Sequence, residues 1–329
     1  MNNHLNNKYE AGMAFMVSGN TDWSYADTEE ETLTRIAWYY YNDGLTQGEI
    51  GEKLGLSRIK VSRMLESGRR TGIIQVRINS RHQGCLEYEQ RLQSHWGLRE
   101  VRVIPDLDGS DLCERLGQAA AQFLMQRLRP DDLLAVGWGA TVSHTIQRLG
   151  HMANERNVSL VSLTGGVATY VDGMRTANWG SSVHLVPAPL VVSDQHVASA
   201  LMVEPGIAVV LEMALNAAYQ LVGIGELNAD STVVRSGYIT PGEVEPLRRK
   251  GAVGDILCQF FDENGVSLDL PLHQRVVGAR LDALSRSDNV IAAAGGLSKV
   301  RAIQSALKGK YVDILITDEK TAEKLLEEI

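Results

Sequence analysis

Residues 34–81 read TRIAWYYYNDGLTQGEIGEKLGLSRIKVSRMLESGRRTGIIQVRINSR. From Thr32 to Asn42, Leu33, Ile36, Ala37, Tyr40 and Tyr41 recur at helical spacing. Asp43-Gly44 breaks that run, and Gly44 suits a left-handed C-cap. Thr46-Gln47-Gly48-Glu49 has the form of a capping box, in which the two end residues satisfy each other's backbone N–H groups. A second helix therefore starts there, with Ile50 and Leu54 on one face. Gly55 is the turn, and Ser57 is a good N-cap for a third helix from Arg58 to about Arg69. Val61, Met64 and Leu65 face its core.

The third helix carries the chemistry. Arg58, Lys60, Ser62 and Arg63 crowd its first two turns, away from the apolar residues. Arginine bonds bidentately to a guanine edge, and lysine and serine reach bases or phosphates. Thr46 and Gln47 at the start of the second helix, with Ser57 and Arg69 at the ends of the third, complete the candidate DNA contacts. Gly72 then leads into Ile73-Ile74-Gln75-Val76-Arg77-Ile78, a strand-like stretch that reads as a wing. A helical bundle with a solvated basic face is the alternative. The order helix, capped helix, glycine turn, basic helix, strand favours a winged helix-turn-helix that binds double-stranded DNA.

Working outward, the chain has 329 residues, 44% apolar and 22% charged, with a net charge of −8. That composition excludes wholesale disorder, and the length allows a full α/β core beside the small module. Charge is uneven: residues 31–80 hold eight basic against five acidic side chains, a net +3 inside an acidic chain. Such asymmetry suggests a nucleic-acid module on a body of another kind. Cys85, Cys113 and Cys258 are scattered, with no CxxC pair, so a disulfide framework and a structural metal site are not expected, and a reducing cytoplasm is. Residues 1–30 read as a polar tail without a targeting signal, and no run is long enough to span a membrane. Cys85 to Trp96 reads as a helix within a linker, residues 81–98.

From residue 99 the pattern changes. Short apolar runs (Val101–Ile104, Leu133–Val136, Ser159–Leu163, Leu221–Ile224, Val290–Ala293, Ile314–Ile316) alternate with helical segments, including Arg115–Arg127, Thr141–Leu149, Gly206–Ala217 and Lys299–Leu307. Alternation of this kind predicts a largely parallel, Rossmann-like α/β sheet covered by helices. Four runs end in glycine-bearing turns, at Gly137–Thr141, Thr164–Gly166, Gly223–Gly225 and Gly295–Gly296. Glycine there lets backbone N–H groups approach a ligand, and a following helix N-terminus favours phosphate. None matches a dinucleotide fingerprint or a P-loop, so no nucleotide cofactor is expected.

Residues 34–81, through GLTQxEI, LGLSRxKVSRML and GIIxVxI, resemble the DNA-binding domain of the SorC family of sugar-binding transcriptional regulators. The resemblance continues along nearly the whole chain after the tail. It implies a body of the sugar-phosphate-isomerase type that binds a phosphorylated effector at the C-terminal edge of its sheet. Carried onto this chain, Gly137, Trp138, Gly139, Ala140 and Thr141 cradle phosphate, and Thr164, Gly165 and Gly166 line the same pocket. Asp255 accepts hydrogen bonds from effector hydroxyls, and Lys299 adds charge toward the phosphate. Simpler roles stay open: Thr141 as an N-cap, Asp255 as a cap of 256–261, Lys299 as a solvated residue, Trp138 as packing. Arg235 is a further anion-binding candidate.

The resemblance implies a repressor of a carbohydrate or autoinducer-2 operon, relieved by a phosphorylated sugar or polyol or by phospho-autoinducer-2. It also implies a dimer or tetramer, with the 81–98 helix aiding self-association. Residues 170–179 and 191–209 depart from the pattern and are candidates to shape the pocket or a subunit contact. An activator of the same architecture is one alternative. A sugar-phosphate isomerase carrying a DNA module is another, but Asp255, Asp262, Glu226 and His184 show no spacing that singles out a catalytic pair, so no catalytic residue and no enzyme is expected.

Overall fold

The chain divides into the units Met1–Ser80 and Arg81–Ile329, each with an apolar core of its own. The computed structural model describes residues 25–75, 83–107, 111–166, 179 and 182–327.

The first unit is built on α1 (Tyr25–Tyr41), α2 (Gln47–Leu54) and α3 (Arg58–Arg70). Leu33, Ile36, Ala37, Ile50, Val61, Met64, Leu65 and Ile74 form its core. The helix expected from Thr32 begins at Tyr25, so the last six residues of the expected tail are helical. The Thr46–Glu49 capping box is present in both directions: Glu49 N–H donates to the Thr46 hydroxyl, and Thr46 N–H donates to the Glu49 carboxylate at 2.8 Å. Gly55 ends α2 in the left-handed region at φ 67°. Gly68, inside α3, lets the helix sit on its neighbours, because a Cβ there would lie 2.7 Å from Ile74 Cδ1 and 2.9 Å from Leu33 Cδ1. Ile73–Gln75 are not in a strand, and Val76–Ile78, the rest of the expected wing, lie outside the described residues.

The second unit opens with α4 (Gln83–Trp96), the expected linker helix. It packs as a layer of this unit against β1 (Glu100–Ile104) and the last helix, with Cys85 and Leu92 buried in the common core. The chain continues through α5 (Leu112–Met125), β2 (Leu133–Val136), α6 (Ala140–Glu155), β3 (Ser159–Ser162), β4 (Val183–His184), α7 (Gln195–Val203), α8 (Pro205–Leu215), β5 (Tyr219–Val222) and β6 (Gly225–Glu226). Then come α9 (Thr232–Arg235), α10 (Pro241–Arg249), β7 (Gly254–Ile256), β8 (Gln259–Phe261), α11 (Leu281–Leu284), β9 (Val290–Ala293), α12 (Val300–Lys308), β10 (Ile314–Asp318) and α13 (Glu319–Glu327).

Seven strands pair in parallel in the order β1-β10-β9-β5-β2-β3-β4. The expected parallel sheet is therefore present, and its middle strands are apolar on both faces: Val290, Ile291, Ala292 and Ala293 of β9 are all buried. The chain runs outward from β2 to β3 and β4, then returns to β5 beside β2 and runs the other way to β9 and β10. The order thus reverses between β2 and β5. In open parallel sheets that reversal leaves a crevice beyond the carboxyl ends of the two strands. A second, antiparallel sheet, β6-β7-β8, was not foreseen. Its strands are only two or three residues long, below what hydrophobic periodicity detects.

Candidate functional site

In the first unit, Ser57 caps α3 by accepting the Lys60 N–H. Arg58, Lys60, Arg63 and Arg69 are exposed, Ser62 is half-buried, and the opposite face buries Val61, Met64, Leu65 and Gly68. Thr46 is exposed and Gln47 half-buried at the start of α2. The capping bonds hold the Glu49 carboxyl below its ordinary range, so the box stays intact at neutral pH. The result is a rigid helix that presents cations to solvent, the form a major-groove reader needs.

In the second unit, a cavity of about 220 Å³ occupies the crevice at the reversal. Its walls come from the segments after β2, β5 and β9. After β2, Gly139 adopts φ 130° and starts α6 without any side-chain cap. Ala140, Thr141 and Val142 of that first turn line the cavity. An uncapped helix start offers backbone N–H groups and a partial positive charge to an anion.

Asp255 comes from the hairpin β7–β8. It lines the cavity yet is only 4% exposed. Burial pushes its carboxyl up to about 6, against the opposing pull of the Cys258 N–H it accepts at 3.1 Å and the positive charge of Lys299. Gly225 lies opposite Asp255 across the β6–β7 pair, and a Cβ there would overlap the carboxylate. The two-residue turn, Leu257-Cys258, has φ of 54° and 63°. Such a turn normally takes Asn-Gly, but here both side chains are buried. Leu257 reaches back over Gly137, where a Cβ would lie 2.8 Å from Leu257 Cδ2.

Lys299 ends a 3₁₀ turn, Leu297–Lys299, that follows β9. That turn is tied to the end of β10. The Gly296 N–H donates to Asp318 Oδ2 and to the Thr321 hydroxyl, both at 2.8 Å, and the same hydroxyl donates to Asp318 Oδ2 at 2.6 Å. Trp138 packs edge-on to Tyr238 at 5.3 Å, and its buried indole N–H has no hydrogen-bond partner among the described residues.

Residues 80–327 match the family described as "Putative sugar-binding domain". The chain is 46% identical over 302 residues to a transcriptional regulator LsrR of Enterobacter sp. (strain 638), covering 91% of this chain and 94% of that protein. It is likewise 46% identical over 301 residues to LsrR of Escherichia coli K12, covering 91% and 95%. The full-length sorbitol operon regulator SorC from Klebsiella pneumoniae superposes with a TM-score of 0.65 at 26% identity, covering 91% of this chain and 99% of that one. The chain belongs to the SorC family of transcriptional regulators. A DeoR family transcriptional regulator from Listeria monocytogenes shares the fold of the body, with a TM-score of 0.65 and 27% identity over 73% of this chain and 99% of that one.

As a SorC-family body, the second unit brings Trp138, Gly139, Ala140, Thr141, Asp255, Lys299 and Arg235 around one cavity. Gly137 does not line it; its missing side chain makes room for Leu257. Thr164, Gly165 and Gly166 do not line it either. Thr164 is fully buried, Gly165 N–H donates to Val277 at 3.0 Å, and Gly166 N–H donates to Ala188 at 2.8 Å. The loop after β3 is thus stitched to neighbouring backbone, one strand away from the reversal. The open alternatives resolve in part. Thr141 is not an N-cap, since Gly139 holds that position, and Asp255 sits in a hairpin rather than at a helix end.

No residue of 191–209 lines the cavity; Val192, Ala198 and Ile207 join a separate small core. Of 170–179, residues 170–178 lie outside the described residues. Sequence reasoning missed Cys113, Asp230, Ser231, Thr232 and Leu257 as lining residues. It weighed Glu226, which lines the cavity, only as an acid or base. The nearby Gly225 marks a close approach, but the group it makes room for is the Asp255 carboxylate.

Proposed function

We propose that the chain is a transcriptional repressor whose operator binding is relieved by a phosphorylated, polyhydroxylated effector. A phosphorylated sugar or polyol, or phospho-autoinducer-2, meets that description. The observation that carries the reading is the uncapped start of α6 opening onto the same cavity as Lys299 and Asp255. The first two suit a phosphate and the third suits hydroxyl groups. The Trp138 N–H is a further donor with no hydrogen-bond partner among the described residues. The exposed cations of α3 support duplex DNA as the other partner. Paired half-sites call for a dimer or tetramer, and both binding events take place in the cytoplasm with the DNA.

An effector changes DNA affinity only if it binds the DNA-competent and incompetent arrangements unequally. The test is fluorescence anisotropy of the full chain on its own upstream DNA at a stated salt concentration, followed by titration of phosphorylated sugars and phospho-autoinducer-2. Release by one compound supports the reading and names the effector. Tightening instead of release makes the protein an activator or co-repressed regulator. Unchanged DNA affinity across saturating compounds overturns the linkage.

Asp255 and Glu226 lining one cavity also support a second reading, an isomerase that uses the two carboxyls as acid and base. Turnover of ribose 5-phosphate or glucosamine 6-phosphate by the purified chain would establish it, and its loss in Asp255→Asn would assign it to this cavity.

A further inference from the structure

Ile59 is the second residue of α3 and is 65% exposed, more than Trp38 at 51% or Ile73 at 41%, the other large exposed apolar residues of the first unit among the described residues. A lone exposed apolar side chain is ordinary on a protein surface. The neighbourhood of this one is not. Arg58 and Lys60 flank it in sequence, and both are exposed. Ser62 and Arg63 lie three and four residues on, so they share its face of the helix. The face opposite is sealed against the core by Val61, Met64 and Leu65. Ile59 is therefore the apolar element of the surface that presents cations to DNA. A β-branched side chain held on a rigid helix start, beside an arginine, has one complementary group in the major groove: the 5-methyl of thymine.

We infer that Ile59 is a specificity-determining residue that packs on a thymine methyl in each half-site, beside the base pair contacted by Arg63. The inference rests on the DNA-binding reading of α3 and adds a base preference that the cations alone do not supply. Arginine and lysine select guanine or hold phosphate, and neither distinguishes thymine from uracil. The sec-butyl group of Ile59 does, because the two bases differ only by that methyl.

The test begins with the full chain selecting its preferred duplex from a random pool, so that no operator is assumed. Each thymine of the selected site is then replaced singly by deoxyuridine, and affinity is read by anisotropy for the wild type and for Ile59→Ala. The expected result is one thymine per half-site at which uracil weakens the wild type about fourfold, the effect of one buried methyl. Ile59→Ala is expected to bind the thymine duplex more weakly by at least that factor and to be indifferent to uracil at the same position. Its melting temperature and its affinity for random DNA should stay at wild-type values, since the side chain is exposed. Equal sensitivity of the two proteins to every uracil would overturn the assignment, as would an equal loss on selected and random DNA. Failure to select any duplex would overturn the DNA-binding reading beneath it, and so the two failures are distinguishable.

Discussion

The two units place their candidate site residues on opposite sides of the solvent boundary. In the first, Arg58, Lys60, Arg63 and Arg69 project from a helix whose other face does the folding. In the second, Thr141, Asp255 and Trp138 are 7%, 4% and 9% exposed and belong to the fold as much as to the site. The surface proposed to read DNA can therefore change residue by residue without threatening its scaffold. The cavity proposed for the effector has less freedom, because Thr141, Asp255 and Trp138 in its wall are also packing residues.

Substitutions should separate the two regimes. The largest effect is expected from Gly225→Val, which forces a branched side chain into the space of the Asp255 carboxylate. It should destabilise the second unit by ~3 kcal/mol and abolish the effector response. Thermal melting together with effector titration checks both, and a wild-type response would break the comparison at its centre.

Asp255→Asn comes next. Burial raises the Asp255 carboxyl to about 6 and lowers the His273 imidazole to about 4. A carboxyl whose pKa is raised on folding gives stability at low pH that is lost as pH rises through about 6, so its ionised form weakens the fold at neutral pH. A histidine whose pKa is lowered on folding works the other way: the folded state loses stability as pH falls from its unfolded value toward about 4. Between about 4 and 6 the two oppose each other. Asp255→Asn removes the first alone. It should stabilise the chain at pH 7.5 by ~3 kcal/mol at most, on a conversion of ~1.4 kcal/mol per pKa unit from the ordinary 3.8 to about 6, while weakening effector binding. Relative to wild type, its stability should fall more steeply as the pH is lowered through that window, as a series of melts at fixed ionic strength would reveal.

On the exposed side, Arg63→Ala should weaken binding to the selected duplex by ~1–3 kcal/mol if it makes a bidentate base contact. Its melting temperature should stay within about a degree of wild type, since exposed substitutions are typically within ~0.5 kcal/mol. A marked drop in melting temperature would show that α3 is less independent of its cations than described. The smallest effect is expected from Thr46→Ala, which removes the capping box of α2. Loss of a cap is worth ~1 kcal/mol. Here an exposed residue does serve the fold, so a melt without change would show that α2 is held by its core contacts alone.

The legibility of the sequence follows the same boundary. The three helices of the first unit were readable because their signals are local: a capping box at Thr46–Glu49, an N-cap at Ser57 and glycines at fixed places. The parallel sheet was readable because β2, β3, β5 and β9 are short apolar runs with glycine at their ends. The cavity was only half readable. Gly139–Thr141 follow directly from a strand and were found. Asp255 and the role of Lys299 came from the family resemblance. The loop at Thr164–Gly166 carries the same local signal as Gly137–Thr141 yet lies on the wrong side of the reversal. Strand order is a long-range property, and no local pattern encodes it. The capping box at Thr240–Glu243, which starts α10, was equally legible and was passed over.

The tip of a two-residue hairpin is usually the place where a chain can be opened: a tag, a reporter peptide or a permuted terminus is tolerated there because it extends into solvent. The β7–β8 hairpin inverts that map. Its tip residues, Leu257 and Cys258, are 4% and 0% exposed. An insertion between them would have to displace the side chain that covers Gly137 and the N–H that Asp255 accepts. Anyone converting this body into a biosensor should therefore splice elsewhere, because the turn that looks most like an open end is packed into the wall of the cavity.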